Sequence, residues 1–358
     1  MAHDCARAGC RCAVVPPHII EALARSESAA QREAAIVTLA ADASLRQARL
    51  MAQLAGPRRD VGAPTAGPPR KNRQVFDAQS GSTLPGVPVR AEGEAATGDA
   101  AADEAYDGLG ATWDLYFDVY ERNSIDDAGM DLIASVHYLR DYDNAQWNGS
   151  QMLFGDGDGT VFNRFTLAVD VIGHELTHGV TAATANLTYQ DQSGALNESV
   201  SDVFGSLVKQ FVARPQQTAD AADWLIGAGL FTPSVNGVAL RSMKAPGTAY
   251  DDPELGGKDP QPSHTDGYVT TASDNGGVHI NSGIPNHAFY LVAVALGGFA
   301  WERAGRIWYE TLRDPQLGAD AQFADFARLT AATATRLFGA EAERAVTGAW
   351  DAVGVAVR

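Results

Sequence analysis

The residues best placed for chemistry in this 358-residue chain are His174, Glu175 and His178, in the run Gly173-His174-Glu175-Leu176-Thr177-His178-Gly179. On a helix, positions four apart share a face, about one turn from each other. Both imidazoles can then reach a single zinc ion. Glu175 flanks that metal and can act as base toward a water beside it. Downstream, Asn197-Glu198-Ser199-Val200-Ser201-Asp202 offers Glu198 as a third ligand and, one turn on, the carboxylate of Asp202. A His, His, Glu set keeps a fourth position for water, as catalytic zinc sites do. Asp202 fits the place of a group that accepts a hydrogen bond from the outer nitrogen of a ligand histidine. Taken singly, each of these is an ordinary helix residue; the joint spacing is what points to a metal.

Those ligands need two helices that meet, and the chain is long enough for two packed lobes plus a short extra segment. Its formal net charge of -17 argues against a nucleic-acid partner, which calls for a basic face. The charge is uneven. Residues 1–72 hold ten Lys/Arg against six Asp/Glu, and the remainder seventeen against thirty-eight, so a basic leader precedes an acidic body. All three cysteines (Cys5, Cys10, Cys12) fall in the leader, so the body has neither a disulfide nor a cysteine-rich zinc site. They read as surface thiols, with a disulfide or a thiol toward a metal as alternatives. The longest apolar run, Ala288 to Ala300, is too short to span a bilayer and reads as a buried helix. The start, Met-Ala-His-Asp-Cys-Ala-Arg, lacks the apolar stretch of a secretory signal. The expectation is therefore cytoplasmic synthesis, with any export by a route that uses no ordinary cleaved signal.

Residues 1–72 read as a helical prosegment, Glu21 to Leu54, followed by a Gly/Pro linker from Gly56 to Pro69 of the kind proteases cut. Residues 73–180 read as a β-rich lobe. It has strands near Val75, Val87, Leu132–Tyr138 and Met152, a helix over Asp103–Asn123, a turn over Asn144–Gly149, a hairpin turn over Gly155–Gly159, and the motif helix at its end. Residues 181–358 read as helical: Ala195–Ala213, a long loop over 215–285, then His287–Leu296, Ala300–Leu312, Ala321–Phe338 and Ala340–Val353. The fold class is α+β, with the zinc in the cleft between two lobes.

His174-Glu175-Leu176-Thr177-His178 followed by Gly194-Ala195-Leu196-Asn197-Glu198-Ser199-Val200-Ser201-Asp202 resembles the thermolysin-like neutral zinc metallopeptidases. Asn144-Ala145-Gln146-Trp147-Asn148-Gly149-Ser150, Arg241-Ser242-Met243 and Asp274-Asn275-Gly276-Gly277-Val278-His279 agree, as does the ending Asp351-Ala352-Val353-Gly354-Val355. The likeness covers roughly residues 100–355, with Gln146 where an aromatic residue is usual. Within the family, the short leader with Pro16-Pro17-His18-Ile19-Ile20 is similar to the protealysin-like branch. The resemblance implies a zincin fold and a zinc-dependent endopeptidase that cuts on the amino side of bulky apolar residues. Glu175 would be the base. His279 and Tyr189 would donate hydrogen bonds to the oxyanion, with Asp274 keeping His279 protonated. Asn144, Ala145 and Arg241 would hold the substrate strand. It further implies protein or peptide substrates and a prosegment acting as intramolecular inhibitor, through its Pro-Pro stretch or a leader cysteine, in a precursor that processes itself. A protein inhibitor in the cleft would leave no trace in this sequence.

The family's double calcium site needs clustered carboxylates. Asp170 and Asp223 are kept, but Lys209, Leu225 and Ala228 stand at acidic positions, so that site is expected to be absent or reduced, while calcium elsewhere stays open. Three other readings fare worse. An aminopeptidase of the wider zinc group would carry Gly-x-Met-Glu-Asn, which is missing; a metzincin would need a third histidine where Thr184 stands; and a catalytically dead binding protein would have lost Glu175 or a ligand. His137, His264 and His287 read as ordinary histidines.

Overall fold

The computed structural model describes residues 13–54 and 69–357. Cys5, Cys10 and Cys12 lie outside the described residues, and so does most of the linker. The leader forms two helices, α1 (Pro17–Leu23) and α2 (Ala29–Leu54). The single helix expected from Glu21 onward is broken at the serines between them. Ser26 Oγ donates to Gln31 Oε1 at 2.6 Å and Arg32 Nη1 takes the carbonyls of Ser26 and Glu27. Side chains that bond local backbone in this way compete with the helical ladder.

A five-stranded sheet follows, built from β1 (Arg73–Asp77), β2 (Val87–Ala91), β3 (Leu132–Val136), β4 (Ala145–Trp147) and β5 (Met152–Phe154). Its strand order is β2-β1-β3-β5-β4, so β4 is an edge. The expected turn over Asn144–Gly149 is thus partly a strand. The turn comes later, where Asn148 Oδ1 accepts the N–H groups of Ser150 and Gln151. Strand β3 stops short of Tyr138 because His137 adopts φ 52, its ring held between Asp99 and Asp156 at 2.8 Å each. No hairpin forms at Gly155–Gly159. Asp158 Oδ1 instead gathers the N–H groups of Thr160, Val161 and Phe162 into a loop.

Helix α3 (Ala100–Asp114), capped by Asp99, runs into a wider turn over Leu115–Val119. It lays Leu109, Leu115 and Tyr116 against the core. Helices α4 (Val169–Ala182) and α5 (Asp191–Val212) pack on each other at the centre of the molecule. Their contact is close because it runs through glycines. A Cβ on Gly205 would sit 2.4 Å from the carbonyl oxygen of Asp170, and one on Gly173 only 3.1 Å from Gly205 Cα. The region expected as loop over 215–285 holds two two-stranded ribbons and a helix, α6 (Asp274–Asn281). The remaining helices, α7 (Gly283–Leu296), α8 (Ala304–Leu312), α9 (Phe323–Phe338) and α10 (Ala340–Ala352), form the helical lobe around Trp308, Phe326 and Trp350. The architecture is the α+β, two-lobe zincin arrangement. Among the described residues no helix is long and apolar enough to cross a membrane.

Candidate metal centre and substrate cleft

Helix α4 presents His174 and His178 on one face, and α5 brings Glu198 opposite them, all three buried. Their ligand atoms lie within 4.8 Å of one another. The hydrogen-bonding around them favours a cation. His174 Nδ1 donates to Asp202 Oδ1 at 2.8 Å and His178 Nδ1 to Asn197 Oδ1 at 2.9 Å. When each ring is neutral with its proton on Nδ1, both Nε2 lone pairs point into the same space, 3.0 Å apart. Glu198 Oε2, buried beside them, accepts no hydrogen bond. Two lone pairs and a bare carboxylate oxygen converging in a dry interior repel one another unless a positive ion lies between. The donor set, two imidazoles and one carboxylate, suits zinc.

Asp202 does more than orient His174. Arg241 meets it through two bonds, Nε to Oδ2 at 2.9 Å and Nη2 to Oδ1 at 2.8 Å, and Asn286 Nδ2 donates to Oδ2 at 2.8 Å. Burial works against the Asp202 charge, but Arg241 and His174 outweigh it and hold the carboxyl well below the usual range. Glu175, also buried, is fixed by the Trp147 N–H, 2.8 Å from Oε2.

His279 is positioned by a local turn in which Asp274, Asn275, Gly276 and Gly277 all have positive φ. Gly276 is required there, since a Cβ would fall 2.0 Å from Asp191 Oδ1. The turn folds Asp274 back so that Oδ2 accepts the His279 N–H and Oδ1 accepts from Nδ1 at 2.7 Å. Burial opposes the imidazolium, yet Asp274 and then Glu198 raise it to about 9. Tyr189 Oη lies 3.3 Å from His279 Nε2 and donates to Glu198 Oε1.

The cleft beside these groups holds the leader. Val14 N–H donates to Ala145 O at 3.1 Å and Val15 N–H to Asn144 Oδ1 at 3.0 Å. Arg241 Nη1 donates to Val14 O at 2.9 Å. The leader thus binds against the β4 edge through a backbone bond to Ala145, and sheet edges are a common place for peptides to dock. From α2, Thr38 and Asp42 grip the segment before β4: Asp143 N–H donates to Thr38 Oγ1, and Tyr142 Oη and Asn144 Nδ2 donate to Asp42.

Lys209 reaches Asp170 Oδ2 at 3.0 Å, Asp223 Oδ1 at 2.8 Å and Leu225 O at 2.7 Å. His137, His264 and His287 take no part in the metal cluster; His287 Nδ1 instead faces Met243 O. Sequence reasoning missed Asn197 and Ser201, which both meet His178 Nδ1, along with Asn286 and the backbone of Trp147. Asn197 and Ser201 flank Glu198 by one and three positions, so helical spacing could have flagged them. Asn286 and Trp147 carry no local signal.

Fold and centre define a thermolysin-type metallopeptidase, and comparison with known proteins agrees. The family description "Thermolysin metallopeptidase, catalytic domain" matches residues 68–182, and "Thermolysin metallopeptidase, alpha-helical domain" matches residues 185–355. The chain belongs to this family and is a zinc metalloendopeptidase in precursor form, with a prosegment. An "Extracellular metalloprotease" of Pectobacterium carotovorum subsp. carotovorum is 51% identical over 347 residues, covering 97% of each chain. The "Extracellular minor metalloprotease" of Serratia marcescens is 45% identical, covering 81% of this chain and 79% of its own. A solved structure titled "Precursor of Protealysin, Metalloproteinase from Serratia proteamaculans" superposes with a TM-score of 0.87 at 52% identity, covering 96% of this chain and all of that one.

These relatives correct one expectation. The cytoplasmic localisation inferred from the N-terminal residues gives way, because similar proteins of nearly the same length are named extracellular. The first residues of a chain report little of where the folded protein acts, so they were a poor guide.

Proposed function

We propose that this chain hydrolyses peptide bonds on the amino side of bulky apolar residues, with Glu175 as base, and that its leader keeps it latent by filling the substrate cleft. The observation that carries this reading is the backbone bonding of Val14 and Val15. The leader takes Asn144, Ala145 and Arg241, the residues a bound substrate strand would use. Zinc held by His174, His178 and Glu198 would supply Lewis-acid polarisation of the scissile carbonyl and make a neighbouring water more acidic. Glu175, steadied by Trp147, takes a proton from the attacking water and delivers it to the leaving nitrogen. His279, kept charged by Asp274, and Tyr189 donate hydrogen bonds to the oxygen that gains negative charge. Arg241 holds the next carbonyl, and Asp202 couples that clamp to His174.

Lys209 takes the place of a calcium pair in this reading, its ammonium compensating Asp170 and Asp223. An extracellular site of action is proposed from the relatives' names. The test is intact-mass spectrometry, over time with zinc, of the parent and of Glu175→Ala. The parent is expected to lose about seventy N-terminal residues, the unit marked off by its linker, while the variant stays whole. Equal cutting of both would dismiss self-processing. A parent that stays inert toward peptides after tryptic cleavage of the linker and removal of the freed leader would dismiss the enzyme reading itself.

A further inference from the structure

We infer that the leader is seated as a substrate as well as a plug: the Ala13–Val14 peptide bond occupies the scissile position and is hydrolysed by the chain's own site. This rests on the endopeptidase reading above. The key fact is that both halves of one peptide group meet catalytic groups. The Ala13 carbonyl oxygen lies 3.2 Å from His279 Nε2, the donor aimed at a developing oxyanion. That same Nε2 is 3.6 Å from Glu198 Oε2, so the carbonyl is beside the ligand cluster. The Val14 N–H, which would become the leaving amine, donates to Ala145 O.

Geometry along β4 brings the base to the same place. In its pairing with β5, Gln146 is the central residue of a three-residue strand. The polar groups of Ala145 and Trp147 therefore face the free edge together. Ala145 O receives Val14, and Trp147 N–H holds Glu175. Two residues of strand span about 7 Å, so Glu175 and the leaving nitrogen are neighbours along one edge. The next carbonyl and N–H, Val14 O and Val15 N–H, are bound by Arg241 and Asn144. Val14 itself is fully buried, as an apolar residue just after the cut would be. A leader running in the opposite direction would not give consecutive C=O and N–H groups this pattern.

The step is hydrolysis and needs only water. The water oxygen adds to the Ala13 carbonyl carbon, the bond to Val14 nitrogen breaks, and the transferred proton goes to that nitrogen. The products are an Ala13 carboxylate and a Val14 amine. Residues 1–13, with all three cysteines, are released. The rest of the leader stays docked through α1 and α2, so this cut trims the precursor without opening the cleft.

The test uses the full-length chain with zinc. Intact mass and N-terminal sequencing should find a leader beginning at Val14, formed about a hundredfold or more slower in Glu175→Gln. In that variant, with and without zinc, hydrogen exchange should show the Val14 and Val15 amides protected, which checks the seat without any catalysis. The parent chain is assayed on a peptide substrate after tryptic cleavage of the linker and removal of the freed leader. Peptide hydrolysis with residues 1–13 still attached to Val14 would overturn the inference and leave the enzyme reading standing. Unprotected Val14 and Val15 amides would overturn it as well. Neither hydrolysis nor trimming would overturn both.

Discussion

Asp202 is the residue on which the site depends most. One carboxylate, fully buried, serves a metal ligand on one side and the Arg241 guanidinium on the other. Replacing it by asparagine leaves a similar shape but strands the arginine charge in the interior. Breaking a buried pair from one side costs about 3–5 kcal/mol, and losing the partner of a ligand histidine costs about 10–100-fold in metal affinity. Asp202→Asn should therefore lower stability in urea and zinc affinity together, read by denaturation and by competition with a chelating dye. A variant with unchanged zinc affinity would show that His174 needs no such partner. Much of this was legible early, since Glu198 and Asp202 stand one helical turn apart. The bidentate reach of Arg241, thirty-nine positions further along, was not.

Among the elements, the α4–α5 contact sets the distance between the histidines and Glu198. Gly205→Ala would push a methyl toward the Asp170 carbonyl. Overpacking of this kind costs about 1–3 kcal/mol, and because the helices must part, zinc affinity should fall with stability. In the last turn of α5, Lys209→Met would leave Asp170 buried without a cation. The expected loss is about 3 kcal/mol, the low end for such pairs, because Asp223 and part of Lys209 are exposed and screened. Thermal denaturation with and without added calcium checks both halves of this reading. The parent midpoint should not respond to calcium.

The α1 helix carries a pH response. Burial lowers His18 to about 4; Asp274 opposes this, while His279 and Arg241 add to it. Its Nε2 meets Tyr250 Oη at 2.9 Å, and its Nδ1 is buried without a partner. A free leader would titrate near 6.5. Between that pH and about 4 the released leader binds a proton that the docked one refuses, so docking weakens as pH falls through this window. The loss approaches about 3 kcal/mol at the lower end. Inhibition by the leader supplied separately should fade from pH 7 to 4, and His18→Gln should flatten that slope.

At the scale of the molecule, the latency proposed above is a docking equilibrium between a leader and a cleft. Cutting the linker joins no new partner and breaks none of the contacts from Val14, Val15, Thr38 and Asp42. Once cut, the complex obeys mass action. Specific activity after linker cleavage should therefore rise on dilution. Activity independent of concentration would mean that the leader does not inhibit by occupying the cleft.

The sequence alone determined what repeats within one helix. Helical periodicity places His174 beside His178 and Glu198 beside Asp202, because residues three or four apart are neighbours whatever the rest of the chain does. Long motifs then carried the family and the two-lobe fold. Only the tertiary structure decided what crosses between segments: that β4 is a strand whose free edge receives the leader, that its Trp147 N–H anchors Glu175, and that Ala13 meets His279 from 266 positions away. Such contacts follow from how helices and sheet pack. They leave no periodic trace in the chain, so no local pattern could have disclosed the register in which the leader enters the cleft.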